Sequence, residues 1–195
     1  MNSQAKLANH LSRFSVIPVR SRRRLGKFDL ARAVKGELKK QRVVLRSGDI
    51  VVVSSKFAAM AEGRFVELER INPSKKARML AITYHIDPSL AQLILDESET
   101  ILGGISGFVL AVSKGILAPN AGIDRSNVPQ GFAILYPKHP QQVAERLRSS
   151  LLRNVRSRRK EARLGVVLSD SRITPTRLGT IGIAIAAAGF DPVID

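Results

Sequence analysis

The 195-residue sequence predicts a mixed α and β fold that lacks the regular strand, helix, strand order of a parallel α/β domain. Two patterns alternate along it: apolar runs rich in β-branched residues, which favour strands, and segments whose apolar residues recur at helical spacing. Two helix-entry signals also follow each other directly, at 72–86 and 87–102, with no strand between them. Hydrophobic residues make up 44% of the chain, which is ordinary for a globular protein with a sizeable core.

The first part of the chain predicts a strand, a helix and a second strand. "FSVIPV" (14–19) has the composition of a strand, and the segment 28–41 carries its apolar residues on one helical face. "SGDIVVVSSK" (47–56) begins with a turn and continues as a strand. Because its β-branched run shows no polar alternation, we expect both faces of this strand to be covered.

The middle of the chain predicts two helices and a hairpin. "NPSKKARMLAITYHI" (72–86) starts with Asn-Pro, and "DPSLAQLILDESETIL" (87–102) starts with an Asp cap followed by Pro at the first helical position. "GFVLAVSKGILAPN" (107–120) predicts a hairpin that turns at Lys114 and Gly115.

The last part predicts two strands on either side of a basic helix. "GFAILYP" (131–137) is an apolar strand, and the segment 140–157 is a helix. "RLGVVLSDS" (163–171) reads as a buried strand that ends in a carboxylate. The segment 180–195 is rich in Gly and Ala and can pack backbone against backbone.

The net charge of +16, from 32 basic and 16 acidic residues, predicts an anionic partner. The basic residues concentrate in 20–24, 35–42 and 146–163. Only 5% of residues are aromatic and none is Trp, so the stacking surfaces used by RNA and single-strand binders are poorly supplied. Apolar residues within 146–163 fall at helical spacing, so this run is either an amphipathic helix with a solvated basic face or a nucleic-acid-binding surface.

The composition also restricts the kinds of site. With no cysteine, the chain has no disulfides, thiolate zinc sites or cysteine nucleophiles, and three histidines leave little room for a histidine-rich metal site. Any metal must therefore bind oxygen ligands. No apolar run reaches the ~18 residues of a membrane span, and the N-terminus lacks the apolar core of a secretory signal. We expect a cytoplasmic protein without a membrane partner.

Two aspartates stand where ligands could gather. The loop "PNAGIDRSNVPQG" (119–131) places Asp124 in a segment too polar for a strand, and Asp170 lies at the end of the strand "GVVLSDS", between Ser169 and Ser171. Two carboxylates at such places could share a divalent cation with phosphate oxygens. Alternatively, Asp170 caps the next turn and Asp124 braces its own loop.

The strand "DIVVVSSK" ends with the polar residues Ser54, Ser55 and Lys56. Lys56 could contact a phosphate as a point charge, or it could be one of the many lysines exposed at strand ends.

Five segments carry a family resemblance. They are "GDIVVVSSKFAAMAEGR", "INPSKKARMLA", "LILDESETIL", "NAGIDRSNVPQG" and "LGVVLSDS". In order and spacing the chain resembles the archaeal γ-glutamyl ligases of the deazaflavin coenzyme, from about Ser15 to Asp195. The resemblance implies an unusual α+β fold with mixed sheets and flanking helices that forms an intertwined homodimer. It also implies an N-terminal tail at 1–14 and one ligase-like domain at 15–195 that lacks the family's C-terminal part.

The same resemblance implies a chemistry. Such ligases use GTP and a divalent cation, Mg or Mn, to join L-glutamate to the carboxyl group of the deazaflavin coenzyme precursor through an amide bond. Asp124 and Asp170 match the family's metal-binding aspartates, and Ser171 stands in the place of a metal-binding hydroxyl residue. The residues that match nucleotide positions or would contact the phosphates are Ser55, Lys56, Asn127 and Arg177, and the basic run 20–24 would steer anionic substrates.

Two departures from the family pattern keep an alternative open. Met60 stands where family members usually carry a lysine, and "RITPTRLG" (172–179) retains only Arg177 and Gly179 of a longer motif. The alternative is a non-catalytic relative that binds an anionic ligand or nucleic acid through its basic surface.

Overall fold

A computed structural model describes residues 15–22, 24, 26–126, 128–157, 161–174 and 177–193, so the tail predicted at 1–14 lies outside the described residues. Over these ranges the chain has five α-helices and eight strands in three small sheets, which confirms the mixed α+β class. The helices are α1 (Leu30–Lys40), α2 (Ser55–Ala61), α3 (Lys75–Tyr84), α4 (Pro88–Glu97) and α5 (Pro140–Leu152). The strands are β1 (Asp49–Ser54), β2 (Phe65–Glu67), β3 (Thr100–Ile105), β4 (Phe108–Ser113), β5 (Ile116–Pro119), β6 (Phe132–Ile134), β7 (Leu164–Thr174) and β8 (Arg177–Ala188).

The sheet that positions the site is β1-β7-β8. Strand β1 pairs with β7 in parallel, and β7 pairs with β8 as an antiparallel hairpin. The other two sheets, β2-β6 and β3-β4-β5, are antiparallel. The Gly/Ala-rich segment at 180–195 therefore supplies most of strand β8, whose small side chains lie against β7.

Local signals set several element boundaries. The Asp87 side chain accepts a hydrogen bond from the Leu90 N–H, and Pro88 follows as the first helical residue of α4, as predicted. Lys114 and Gly115 have φ values of 56° and 70°, the pair of left-handed conformations that joins two strands by a two-residue turn, so the predicted hairpin is confirmed.

Two helices differ from the sequence-based prediction. The helix predicted at 87–102 ends at Glu97, since Ser98 is extended with ψ 138° and Thr100–Ile105 pairs with β4 instead. Helix α2 was not predicted, because its seven residues offer too little helical periodicity to stand out beside the preceding strand.

The main hydrophobic core lies between one face of the β1-β7-β8 sheet and helices α1 and α5. Leu147 and Leu151 of α5 are buried against Leu164 and Leu168 of β7. This arrangement confirms α5 as an amphipathic helix, which ends at Leu152 and not at the predicted residue 157. The predicted basic face is not found on it, because its exposed face carries Glu145 beside Arg146, and Arg148 turns inward. A second core forms around Ile94 of α4, beneath β4.

Two expectations about strands were wrong. The described part of the segment 14–19 is exposed and has no regular structure, since no described strand pairs with it and Pro18 has no N–H to donate. The expectation that both faces of β1 are covered is also wrong for the single chain, in which Ile50 and Val52 are 56% and 63% exposed. No helix in the described ranges is long and apolar enough to cross a membrane.

Candidate active site

The parallel pairing of β1 and β7 brings the first two site residues together. Ser54 pairs with Ser169, so the next residues, Ser55 and Asp170, stand side by side. The Ser55 hydroxyl is buried at the start of α2 and donates to Oδ1 of Asp170 at 3.0 Å. The sequence suggested that Asp170 ends its strand. Strand β7 instead continues four residues further, to Thr174, because this part of it pairs with β8.

Two residues that the sequence analysis did not single out complete the surroundings of Asp170. The Tyr136 hydroxyl donates to Oδ2 of Asp170 at 2.5 Å, and Nε of Arg172 approaches the same oxygen at 3.3 Å. Arg172 also donates from Nη2 to the Tyr136 oxygen at 2.8 Å and from Nη1 to the Leu117 carbonyl. The available signal for Arg172 was its place two residues after Asp170, on the same face of a strand.

Tyr136 is held as a hydrogen-bond donor. Burial, and then its hydrogen bond to the Asp170 carboxylate, raise the pKa of Tyr136 well above the usual 10.0, so its phenol keeps its proton at neutral pH. Gly122 packs directly on the ring, because a Cβ at that glycine would lie 2.1 Å from Cε2 of Tyr136. Only a glycine at this position leaves room for the ring.

Asp124 forms the other half of the site. Its backbone exchanges two hydrogen bonds of 2.9 Å with Ile134 at the end of β6. Its Oδ1 accepts from the Ser126 N–H at 2.6 Å, which confirms that Asp124 braces its own loop. Its Oδ2 forms a 2.5 Å ion pair with Nζ of Lys56, which also donates to the hydroxyl and carbonyl oxygens of Ser126.

The protonation of Asp124 follows from these contacts. Partial burial is the largest single influence and acts to raise its pKa, but the hydrogen bonds from Lys56 and Ser126 and the Lys56 charge together outweigh it. The pKa of Asp124 therefore lies below the usual 3.8, and the side chain is a carboxylate at neutral pH.

The start of α2 connects the two aspartates. Ser55 contacts Asp170 and the adjacent Lys56 contacts Asp124, so both carboxylates lie within reach of neighbouring side chains. The structure thus groups four of the seven predicted site residues. Among the others, Ser171 is exposed and, as the strand neighbour of Asp170, projects toward the opposite face of β7. Asn127 and the side chain of Arg177 lie outside the described part of the chain.

A cleft of about 660 Å³ opens beside Lys56. Its described lining contains the basic residues Arg22, Arg24 and Lys56 and no acidic residue, with Met60 and Phe57 among its apolar members. Arg24 stands 5.3 Å from the centre of the Phe28 ring, and its Nε is buried without a partner among the described residues. Although Met60 stands where the family pattern has a lysine, the cleft is still lined by three basic side chains, of which Lys56 pairs with Asp124 and Arg24 stands 3.9 Å from Glu37.

The donor set fits a magnesium or manganese ion only in part. Within the described ranges, no three acidic or histidine side chains group closely enough to hold a metal ion by themselves. Asp124 and Asp170 offer carboxylate oxygens, the ligands that these cations prefer, and Mg²⁺ commonly binds one or two carboxylates together with substrate phosphates. The residues present therefore fit a cation whose remaining ligands come from phosphate or water.

The family follows from comparison with known proteins. The family model described as F420-0:Gamma-glutamyl ligase matches residues 25–195. The chain belongs to this family. It is 36% identical over 155 residues to the "Coenzyme F420:L-glutamate ligase" of Methanothermobacter thermautotrophicus, covering 77% of this chain and 58% of that protein.

Other relatives give the same result. The proteins of the same name from Methanocaldococcus jannaschii and Methanopyrus kandleri are 36% and 33% identical, over 75% and 82% of this chain. The chain spans 57% and 62% of the length of these two relatives. Family membership, predicted from five sequence segments, is confirmed.

Proposed function

We propose that this chain carries the site of a GTP-dependent ligase that forms an amide bond between L-glutamate and the carboxyl group of the deazaflavin coenzyme precursor. The observation that carries the proposal is the junction of β1 and α2, where Ser55 and Lys56 contact Asp170 and Asp124 beside a basic cleft. The names of the relatives support this reaction, since each is a "Coenzyme F420:L-glutamate ligase".

The reaction needs activation of a poor electrophile. Transfer of the γ-phosphoryl group of GTP to the precursor's carboxylate forms an acyl phosphate and releases GDP. The amine of glutamate then attacks the acyl carbon, the C–N bond forms, and phosphate leaves as the amine loses a proton. Asp124 and Asp170 would hold a divalent cation, Mg or Mn, which neutralises charge on the phosphate oxygens.

The chain's own cations have a defined part in this scheme. Lys56 lines the cleft, and its ammonium group touches Asp124. A phosphate bound beside the carboxylates would therefore contact Lys56. Arg22 and Arg24 line the same cleft and would bind a further anionic group. All three substrates, GTP, glutamate and the precursor, are anionic, in keeping with the net charge of +16.

In this proposal Ser55 positions Asp170. Its hydroxyl donates to Asp170 and its side chain is buried, so it orients the carboxylate that would hold the cation. Direct nucleotide contact by Ser55, Asn127 and Arg177, and metal binding by Ser171, stay predictions from the resemblance.

The proposed assembly is a homodimer. The exposed side chains of Ile50 and Val52 leave one face of β1 apolar and open to a second copy. Sedimentation equilibrium should find a dimer for the parent and a monomer for Val52→Lys, whereas the control Ile82→Lys, at an exposed apolar position on α3, should remain dimeric. A monomeric parent would contradict this assignment.

Calorimetric titration of GTP in the presence of Mn²⁺, together with a phosphate-release assay, tests the ligase. We expect GTP binding that requires the metal, and phosphate release that requires both the precursor and glutamate. The alternative, a non-catalytic relative, predicts metal-independent anion binding and no turnover. Absence of GTP binding at millimolar concentration would refute the nucleotide assignment.

A further inference from the structure

The side chains around Asp170 occupy three of the four lone-pair sites of its carboxylate, including both on Oδ2, and Arg172 neutralises its charge. Oδ1 accepts one hydrogen bond from Ser55, while Oδ2 accepts from the Tyr136 hydroxyl and from Nε of Arg172. The Arg172 side chain is only 9% exposed, and that of Asp170 is 22% exposed, so this ion pair is poorly screened by water.

A cation that binds Oδ2 must displace one of these donors. A carboxylate oxygen has two lone pairs in its plane, and Tyr136 and Arg172 occupy both. The Tyr136 contact is the shorter, 2.5 Å against 3.3 Å, and its ring is wedged against Gly122. We therefore expect the cation to displace Arg172, and not Tyr136, from Oδ2 of Asp170.

We propose that Arg172 is a built-in counterion of Asp170 that competes with the divalent cation. It is a positioning residue, because it acts on metal binding through Asp170. The inference rests on the metal assignment made under Proposed function. It adds that the metal enters this site well only together with phosphate, which takes over the charge of the displaced guanidinium.

The charge balance of the site supports this order of binding. Lys56 pairs with Asp124 as Arg172 pairs with Asp170, so two cations already neutralise two carboxylates. A divalent cation arriving alone leaves two positive charges in excess in a partly buried place. Arriving with nucleotide phosphates, it restores the balance. Arg172 uses three of its five N–H donors in the contacts found here, which leaves two for a phosphate oxygen.

Titration of Mn²⁺ alone, followed by electron paramagnetic resonance of the free ion, tests the proposal. Arg172→Gln should bind Mn²⁺ about tenfold more tightly than the parent, since a tenfold change is the size expected when one partner of a close charge pair is removed. Arg70→Gln removes the same charge from a side chain that is 82% exposed, and it should leave Mn²⁺ affinity unchanged. Arg172→Lys keeps the charge, so its affinity should stay near that of the parent.

Several results would overturn the proposal. They are an Arg172→Gln variant that binds Mn²⁺ no more tightly than the parent, an Arg172→Lys variant that binds as tightly as Arg172→Gln, and no Mn²⁺ binding by any variant. A thermal melt of each variant verifies folding, and Arg172→Met, which keeps the apolar stem, replaces the Gln variant if that one does not fold.

GTP titrations with Mn²⁺ separate this inference from the proposed function. If the parent binds GTP with Mn²⁺ but Arg172→Gln does not change the affinity for Mn²⁺ alone, only the counterion proposal fails. If Arg172→Gln tightens Mn²⁺ binding but no variant binds GTP, the nucleotide assignment and the joint entry of metal and phosphate fail, while the competition between Arg172 and the cation stands.

Discussion

Replacement of Asp170 by Asn separates a metal ligand from a structural residue. Asn is nearly isosteric, and its amide oxygen can still accept from Tyr136 and Arg172 while its NH₂ group faces Ser55, whose hydroxyl can turn to accept. The variant therefore keeps the same number of hydrogen bonds around residue 170 as the parent. What the variant loses is the negative charge, and with it a ligand for the cation.

The stability cost can be estimated from the partner left behind. Arg172 is 9% exposed and would keep its charge without a carboxylate, and a hydrogen bond to a charged group contributes about 1.5–3 kcal/mol. For a chain of this size, about 1 kcal/mol lowers the melting temperature by roughly 2–4 °C, so Asp170→Asn should melt roughly 3–12 °C below the parent.

Asp124→Asn provides the matched comparison. The Asp124 and Lys56 side chains are 37% and 26% exposed, and a pair so open to solvent contributes about 0–1 kcal/mol. Asp124→Asn should therefore melt within roughly 4 °C of the parent. Both variants should lose metal-dependent GTP binding.

Calorimetric titration of GTP with Mn²⁺, beside a thermal melt, measures both quantities. If Asp170→Asn binds like the parent, the metal assignment is wrong. The less exposed pair, Asp170 with Arg172, should cost more stability when broken than the pair of Asp124 with Lys56. Equal loss of stability in the two variants would contradict this dependence on burial.

Three further predictions concern the groups around the aspartates. Gly122→Ala should lower the melting temperature more than a surface substitution, because its Cβ would lie 2.1 Å from the Tyr136 ring; unchanged melting would contradict the packing. Tyr136→Phe should reduce stability by about 1.5–3 kcal/mol in urea unfolding through loss of the donor to Asp170. The ¹³C carboxyl resonance of Asp124 should titrate with a midpoint below pH 3.8, and this midpoint should rise in Lys56→Met. Because folding lowers the pKa of Asp124, the pair stabilises the fold above pH 3.8, and this contribution is lost as the pH falls through the lowered pKa.

Local signals in the sequence predicted much of the secondary structure. The cap at Asp87 and the turn at Lys114 and Gly115 depend only on adjacent residues, and both are found where expected. The segment Thr100–Ile105 could not be predicted in this way, because its conformation depends on pairing with β4, and that pairing overrides the helical character of the preceding run.

The residues of the candidate site also fall into two groups, those that local sequence reveals and those that depend on contacts made by the fold. Asp124 and Asp170 could be found from the sequence because each interrupts an apolar or loop pattern with a carboxylate. Tyr136 could not, since its role arises from a contact across the fold: it reaches Asp170 over 34 residues of sequence, and Ser55 reaches it over 115. Arg172 lies only two residues after Asp170, and that spacing was the one signal that could have found it. The parallel register of β1 and β7 brings Ser55 and Asp170 together.

We propose that the positive charge serves a small anionic substrate and not nucleic acid, and the position of the charge supports this proposal. Helix α5 carries only two basic residues: Arg146 is exposed, and Arg148 reaches inward to the Leu164 carbonyl at 2.8 Å, which makes it a brace for β7. The cations beside the aspartates are different, because Lys56 and Arg172 are less than one third exposed and each already holds a carboxylate. A long, flexible polyanion needs an open array of charges, whereas half-buried cations at the bottom of a site are reached by a compact phosphate. On the proposed function, the charge that contacts the substrate is therefore the small fraction that the β1-α2 junction and β7 hold next to the two aspartates.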